Sequence, residues 1–222
     1  LLPEGGITLK TAGGPSYFIG ETVTFTGKNK ESGEVYLFIT GPATLYHDGN
    51  VLTDRNTPAR EGAPVATPAD GLWTYEWDTS DCALDTGTYT IYATPVLTNG
   101  KSPHPSGDAV RLSDTEYAAL SITLRYPYLT LSTDSRNVPK GGTFTLRGEA
   151  TGDPDQLTLY IFGPDTYQRT EYPVTGTSYI IEDTLPDTAG LYYLVLTHPM
   201  YNGINDIVET RDDSKTTLGV QN

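Results

Sequence analysis

The sequence predicts an all-β fold made of two successive β-sandwich modules. Three observations support this prediction: an internal repeat, segments in which apolar and polar residues alternate, and a composition rich in tyrosine (16), glycine (23) and proline (16). Aromatic and β-branched side chains suit the pleated surface of a sheet, and glycine and proline interrupt strands with turns. The chain of 222 residues is long enough for two such modules.

The repeat appears when the chain is compared with itself. Phe18 to Pro42, FIGETVTFTGKNKESGEVYLFITGP, resembles Val138 to Pro164, VPKGGTFTLRGEATGDPDQLTLYIFGP, and each has the pattern strand, loop, strand, Gly-Pro. Trp77 to Pro95 matches Ile181 to Pro199 in the same way. A repeat of this kind predicts two modules, residues 1–126 and 127–222. The structural residues that it singles out are the two equivalent Gly-Pro pairs, Gly41, Pro42, Gly163 and Pro164.

Individual strands follow from the patterning. Thr22 to Thr26 and Thr143 to Arg147 alternate apolar and polar residues, as half-buried strands do. Tyr36 to Ile39 and Leu157 to Phe162 are almost continuously apolar, which indicates central strands of a sandwich. About seven short strands per module match an immunoglobulin-like count, so the predicted fold is two tandem immunoglobulin-like β-sandwich domains. The first module gains further strands from Trp73 to Trp77, Tyr89 to Tyr92 and Ala119 to Leu124.

Two tyrosines are predicted to have a structural role. Asp187-Thr-Ala-Gly-Leu-Tyr192 resembles a tyrosine corner, in which a tyrosine hydroxyl bonds to upstream backbone, and Asp85-Thr-Gly-Thr-Tyr89 is its shorter counterpart. No cysteine stands two residues beyond Tyr89 or Tyr192. The single cysteine, Cys82, cannot form an intramolecular disulfide and is expected to be a small buried residue. Core packing alone must hold the sheets together.

The first module is predicted to carry two long loop insertions, Ala43 to Leu72 and Thr98 to Glu116, rich in Pro, Gly, Asp and Asn. Loops of this length are uncommon unless they are functional or flexible. Tyr46, Trp73 and Tyr117 are the candidate binding residues near them, because aromatic rings offer flat apolar surfaces to glycans or proteins. The alternative is that these rings fill the core.

Charge restricts the partners. The net charge of −14 and the pI near 4.4 repel phosphate backbones and anionic membranes, so nucleic acid is excluded. No stretch approaches 18 consecutive apolar residues, so this segment is not expected to insert into a membrane. The chain begins without methionine, which fits either removal of a signal peptide or truncation.

The sequence predicts neither a catalytic site nor a cofactor. Its three histidines, His47, His104 and His198, lie near turns and form no spaced ligand pair, and the common catalytic motifs are missing. We therefore predict that the protein is not an enzyme. Calcium is the one cofactor left open, because carboxylates in loops between strands bind it. Its candidate ligands are Asp78 with Asp81 and Asp153 with Asp155, although solvated turns explain these residues equally well.

Several segments together resemble a known group of proteins. YFIGETVTFTG, YLFITGP, GLWTYEWDTS and LDTGTYTIYATP of the first module, with LYIFGP and THPMYNG of the second, are similar to repeated modules of secreted, S-layer-associated surface proteins of methanogenic archaea. The similarity covers most of the chain. It implies export, an extracellular or cell-surface location and a structural or adhesive role, and it supplies no catalytic residue.

The function expected from these observations is that of a non-catalytic module of the cell envelope: an S-layer, sheath or filament subunit, or a surface spacer. Its partners would be further copies of itself or other envelope proteins. The segment Thr216 to Val220 is a short β-like stretch suited to closing its own sheet or that of a neighbour. The alternative is an adhesion module that binds carbohydrate or protein, glycans included, through the long loops of the first domain.

Overall fold

The computed structural model describes residues 6–80, 83–104, 107–199, 207–212 and 215–220, the last two ranges as backbone. Contacts between Cα atoms divide the chain into two compact units, Leu1–Arg125 and Tyr126–Asn222. Within the described residues no α-helix is present, and none of the helical turns is long and apolar enough to cross a membrane.

The first unit is a two-sheet sandwich. Its strands are β1 (Lys10–Thr11), β2 (Ser16–Phe18), β3 (Thr22–Lys28), β4 (Glu34–Thr40), β5 (Asn50–Val51), β6 (Asp54–Pro58), β7 (Val65–Ala66), β8 (Leu72–Asp78), β9 (Gly87–Thr94) and β10 (Ala118–Arg125). One sheet has the order β1-β3-β8 and the other β2-β10-β9-β4-β5-β6, with β7 paired to β4. Two 3-10 turns, Ala59–Glu61 and Leu112–Asp114, lie in the long connections.

The second unit repeats this plan with fewer strands. They are β11 (Ser132–Thr133), β12 (Thr143–Glu149), β13 (Gln156–Gly163), β14 (Thr166–Pro173), β15 (Ser178–Thr184), β16 (Tyr193–Thr197), β17 (Ile207–Asp212) and β18 (Lys215–Val220). Two three-stranded sheets have the orders β11-β12-β15 and β14-β13-β16, and β17 and β18 form a separate antiparallel pair.

Alternation along the strands builds one core in each unit. In β3 the side chains of Val23 and Phe25 are fully buried, while the threonines that flank them are more exposed. Phe25 stacks on Trp77 of β8 with ring centroids 6.0 Å apart, and the Trp77 Nε1–H donates to the carbonyl of Leu52 at 3.0 Å. The second core is centred on Phe144, Leu146, Leu157, Leu159 and Ile161. The predicted all-β, immunoglobulin-like sandwich fold is confirmed.

Candidate functional site

The two long connections of the first unit cover the outer face of β4 and β9. On that face Phe38 and Tyr92 are paired across the strands, with ring centroids 4.6 Å apart and planes 3° apart. The Nζ atom of Lys101 lies 5.6 Å from the centre of the Tyr92 ring, and the ring of Tyr117 lies 6.0 Å from it. Residues Phe38, Tyr92, Lys101 and Tyr117 define what we call the loop face.

Buried asparagines fix the conformation of these connections. Asn50 is fully buried, and its side chain donates to the carbonyls of Arg55 and Thr57 and accepts from the backbone N–H of Tyr46. The second connection is attached to the first by the backbone N–H of Lys101, which donates to the carbonyl of Asp48 at 2.6 Å. The long connections are therefore held in place by backbone and amide hydrogen bonds.

A small cleft opens beside the loop face. Its volume is about 60 Å³ and its lining includes Tyr46, Asp48, Arg60, Asn99 and His104. The Asn99 side chain is buried and donates to the carbonyls of Ser102 and His104, yet its Oδ1 has no hydrogen-bond partner within the described part of the chain. Leaving a buried acceptor without a donor costs about 1–3 kcal/mol, so Oδ1 would gain from a water or ligand hydroxyl.

The three candidate binding aromatics have different environments. Tyr46 lines the cleft and Tyr117 edges the loop face, with 39% and 51% of their surfaces exposed. Trp73 is only 2% exposed and belongs to the first core, so its prediction as a binding residue is wrong. Trp73, Tyr75 and Trp77 occupy one face of β8, and the Trp73 ring packs where a side chain on Gly27 would otherwise lie.

Sequence reasoning missed Phe38, Tyr92 and Lys101 of the loop face. The sequence feature that could have revealed this face is the continuous apolar run of β4. Strand side chains alternate between faces, so Leu37 and Ile39 point into the core while Phe38 must point outward, where it needs a cover. Tyr92, Ala59 and Leu112 supply that cover.

The predicted calcium ligands are not assembled into a site by the described residues. Asp78 accepts hydrogen bonds from the backbone and hydroxyl of Ser80, which is the pattern of an ordinary turn, and Asp81 lies outside the described residues. Asp153 and Asp155 are exposed in a turn, Asp153 with a φ of 50°. Among the described residues, no three His, Cys, Asp or Glu side chains form a group that could hold a metal ion. Calcium binding stays a prediction.

The residues predicted to be structural come together in each unit. The Tyr89 hydroxyl donates to the carbonyl of Asp85 at 2.8 Å, and the Tyr192 hydroxyl donates to that of Thr188 at 2.9 Å. The Tyr89 ring covers Gly41 and the Tyr192 ring covers Gly163. Pro42 and Pro164, the prolines that follow these two glycines, pack against Gly87 and Gly190 respectively.

The second unit contains a much larger depression, which we call the strand groove. It has a volume of about 830 Å³ and lies between the segment 135–140 and the start of β16. Its lining is mixed. Leucine, valine and phenylalanine side chains cover its floor and one rim, and polar residues of the segment 135–140 line the rest: Leu131, Val138, Phe144, Leu146, Leu191 and Leu194 with Ser135, Arg136, Asn137 and Lys140. Leu131 and Leu191 are 45% and 69% exposed at its rim.

The strand groove runs along an open sheet edge. Within the described residues β16 pairs only with β13, and no strand is paired to its other side. In the first unit the equivalent strand β9 pairs with both β4 and β10. Unpaired strand edges readily accept a further strand.

His198 follows β16 directly and is 6% exposed. Its Nε2 lies 2.8 Å from the carbonyl oxygen of Thr151, so this nitrogen carries the proton in the neutral ring. Burial lowers the pKa of His198, and the hydrogen bond to Thr151 opposes that effect in part. Loss of hydration favours the uncharged imidazole here.

Comparison with known proteins gives no family assignment. No protein-family model matches the chain, and no curated protein is significantly similar to it. Solved structures align along most of it. A Salmonella alpha-2-macroglobulin reacted with methylamine is 12% identical, and the alignment covers 98% of this chain and 15% of that one with a TM-score of 0.32. A marsupial T cell receptor is 13% identical (95% of this chain, 70% of that one, TM-score 0.29), and the human OSCAR ligand-binding domain is also 13% identical (96% of this chain, 97% of that one, TM-score 0.28). This chain thus spans about 15% of the macroglobulin. The fold assignment rests on the strand order of the chain itself.

Proposed function

We propose that this chain is a non-catalytic structural module of a cell envelope, and that it transmits tension along the chain as an S-layer, sheath or filament subunit or as a surface spacer. The observation that carries the proposal is a strand pair in the larger sheet of the first unit. It joins β2 and β10, which are the first and last strands of that sheet in chain order. β2 and β10 lie side by side in parallel, with Ser16, Tyr17 and Phe18 opposite Thr123, Leu124 and Arg125.

This arrangement determines how a pulling force reaches the sandwich. The N–H of Thr123 donates to the carbonyl of Pro15 at 2.7 Å, and the N–H of Ile19 donates to that of Arg125 at 2.9 Å. Once β1 has been pulled from β3, tension enters at the start of β2 and leaves at the end of β10. Because the strands are parallel, that tension slides one strand along the other and loads their hydrogen bonds together rather than one after another.

The inner face of the same strand pair is covered by the core. Tyr17, Ile19, Ile122 and Leu124 belong to the buried core beneath the two strands. Water competes poorly for hydrogen bonds beside a dry core, which strengthens them. The strand pair therefore combines a shear geometry with a buried inner face.

A cell-surface location and envelope partners belong to the same proposal. They are supported by the resemblance to repeated archaeal surface modules and by the acidic composition, which favours a well-solvated surface. Assembly would involve further copies of the chain or other envelope proteins. Light scattering and electron microscopy of the purified chain, with and without millimolar calcium, would detect such assembly and any role of the ion.

Pulling in two directions tests the load-bearing role. In a Cys82→Ala background, cysteines at positions 14 and 125 load β2 against β10 in shear, whereas cysteines at 86 and 125 pull β9 and β10 apart one pair at a time. We expect single-molecule stretching to give a clearly higher unfolding force for the first attachment pair. Equal forces for the two pairs would contradict the proposal.

The second candidate function is binding through the long connections of the first unit. It is favoured by the unpaired Oδ1 of Asn99 in the cleft beside the exposed ring of Tyr46. A buried amide acceptor beside an aromatic ring suits a carbohydrate hydroxyl and its sugar ring. A glycan array should then give a ligand whose binding is lost in Tyr46→Ala and retained in Tyr193→Ala, an exposed tyrosine of the other unit. An array without any ligand would count against this candidate.

A further inference from the structure

We infer that the strand groove of the second unit is filled by β18 of the same chain, which becomes the last strand of that sandwich. The inference goes beyond the load-bearing role and does not depend on it. It rests on the position of the groove, the pattern of β18 and the connection that leads to it.

The position of the groove follows from the repeat. In the first unit β10 occupies the slot between β2 and β9. Tyr89 at the start of β9 corresponds to Tyr192 before β16, since both hydroxyls close the same tyrosine corner. The segment 135–140 follows the first strand of its unit as β2 does. The strand groove between that segment and β16 is therefore the slot that β10 fills in the first unit.

The groove requires a strand with apolar residues at alternate positions. β10 meets this requirement with Leu120, Ile122 and Leu124, which pack on the first core while the residues between them are more exposed. β18 has the sequence KTTLGV, in which Leu218 and Val220 alternate with small or polar residues. β17 reads IVETRD and offers no such alternation, so β18 fits the slot better.

The connection allows β18 to reach its own groove. In the first unit the connection 95–117 leads from β9 to β10 within one chain. In the second unit residues 198–214, which include β17, join the end of β16 to β18 in the same chain. A tethered strand has an effective concentration on the order of millimolar, which favours the chain's own strand over that of a second copy in dilute solution.

To fill the groove, β18 would exchange β17 for the segment 135–140. Its register with β17 runs from Ile207 opposite Val220 to Asp212 opposite Lys215 and uses one edge of β18. No strand is paired to its other edge within the described ranges. In the groove that edge would pair with β16, and the edge now paired to β17 would face the segment 135–140, as β10 lies between β9 and β2 in the first unit.

Disulfide trapping in the full chain tests the inference. Leu194 and Leu196 pack on the core, so Val195 between them faces the other side of β16. In a Cys82→Ala background, Val195→Cys is combined in turn with Lys215→Cys, Thr217→Cys or Gly219→Cys, and with Leu218→Cys as the control on the opposite face. One of the first three pairs should form an intramolecular disulfide on mild oxidation, with a yield at least tenfold higher than that of the control. The reason is that a disulfide requires closely placed Cβ atoms.

Electrophoresis without reducing agent separates the outcomes. A compact monomer for one same-face pair supports the inference. Cross-linked dimers for these pairs would overturn it in favour of a strand supplied by a second copy, and equal yields for all four pairs would also overturn it. Neither result bears on the unfolding force of the first unit, which tests the load-bearing role separately.

Hydrogen exchange provides a second measurement without cysteines. If β18 occupies the groove, Leu218→Asp should speed amide exchange in β16 at least tenfold, while Lys215→Asp should leave it unchanged. Fast exchange of the outward β16 amides already in the unmodified chain would contradict the inference.

Discussion

The ring of Tyr89 covers Gly41 so closely that a β-carbon at Gly41 would overlap it. The same relationship joins Tyr192 to Gly163 in the second unit. The tyrosine hydroxyls bond to the carbonyls of Asp85 and Thr188, respectively, so each ring is fixed at both ends. This contact explains why the Gly-Pro pairs and the Gly-x-Tyr segments recur together in the sequence.

The first prediction concerns the two covered glycines. Gly41→Ala and Gly163→Ala should each destabilise their own unit by about 1–3 kcal/mol, because overpacking displaces a ring and strains the backbone. Urea unfolding monitored by tyrosine and tryptophan fluorescence would measure the change. Gly33→Ala is the control, since a β-carbon there meets no atom within 4 Å. Equal stability of Gly41→Ala and Gly33→Ala would contradict this account.

The second prediction separates the hydroxyl from the ring. Tyr89→Phe retains the packing on Gly41 but removes the 2.8 Å bond to Asp85, and it should reduce the free energy of unfolding by about 1 kcal/mol. Tyr46→Phe, whose ring is exposed, should change stability by less than about 0.5 kcal/mol. A Tyr89→Phe variant as stable as the unmodified protein would show that the corner hydroxyl contributes nothing.

The alternation and the repeat were sufficient to predict the sandwich fold, the strands around Val23 and Phe25 and the two tyrosine corners. They were insufficient for Trp73, because an aromatic strand beside a long loop has the same pattern whether its rings face a ligand or the core. The strand groove could not be predicted, since it depends on which strands of the second unit meet in space. For the loop face, the apolar run of β4 indicates that Phe38 needs a cover, but the hydrogen bond from Lys101 to Asp48 that positions the covering loop has no sequence pattern.

The third prediction compares the two tryptophans of β8. Trp77 donates its Nε1–H to Leu52, whereas the Nε1–H of Trp73 is buried and has no partner among the described residues. Trp77→Phe loses a hydrogen bond and leaves a buried carbonyl without this donor, while Trp73→Phe removes an unsatisfied donor. Trp77→Phe should therefore cost about 1–2 kcal/mol more than Trp73→Phe in chemical denaturation. A larger loss for Trp73→Phe would contradict this reading of the core.

The fourth prediction concerns pH. Because burial lowers the pKa of His198 below its unfolded value, the unfolded chain binds the proton more tightly than the folded one. The stabilising contribution of the neutral ring is fully present above the unfolded pKa, near 6.5, and declines as the pH falls below it. The melting temperature of the second unit should thus be lower at pH 5.5 than at pH 7.5.

A substitution isolates this effect from the titration of carboxylates. His198→Gln retains a side-chain donor for the carbonyl of Thr151 but does not titrate. The drop in melting temperature between pH 7.5 and pH 5.5 should be smaller in His198→Gln than in the unmodified chain. An identical drop in both proteins would show that His198 is not the group responsible.

The central claim is that the parallel pair β2–β10 carries load. The N–H of Ile19 donates to β10, so by alternation that of Tyr17 also faces β10, whereas the N–H of Phe18 donates to Glu21. Tyr17→Pro should therefore remove a bond of the pair, and Phe18→Pro should not.

The most direct test is single-molecule stretching of the first unit, within the whole chain, in these two variants and in Tyr17→Ala, which loses the same ring but keeps its N–H. The account predicts an unfolding force lower in Tyr17→Pro than in Tyr17→Ala, with Phe18→Pro close to the unmodified protein. Equal forces in Tyr17→Pro and Tyr17→Ala would contradict it.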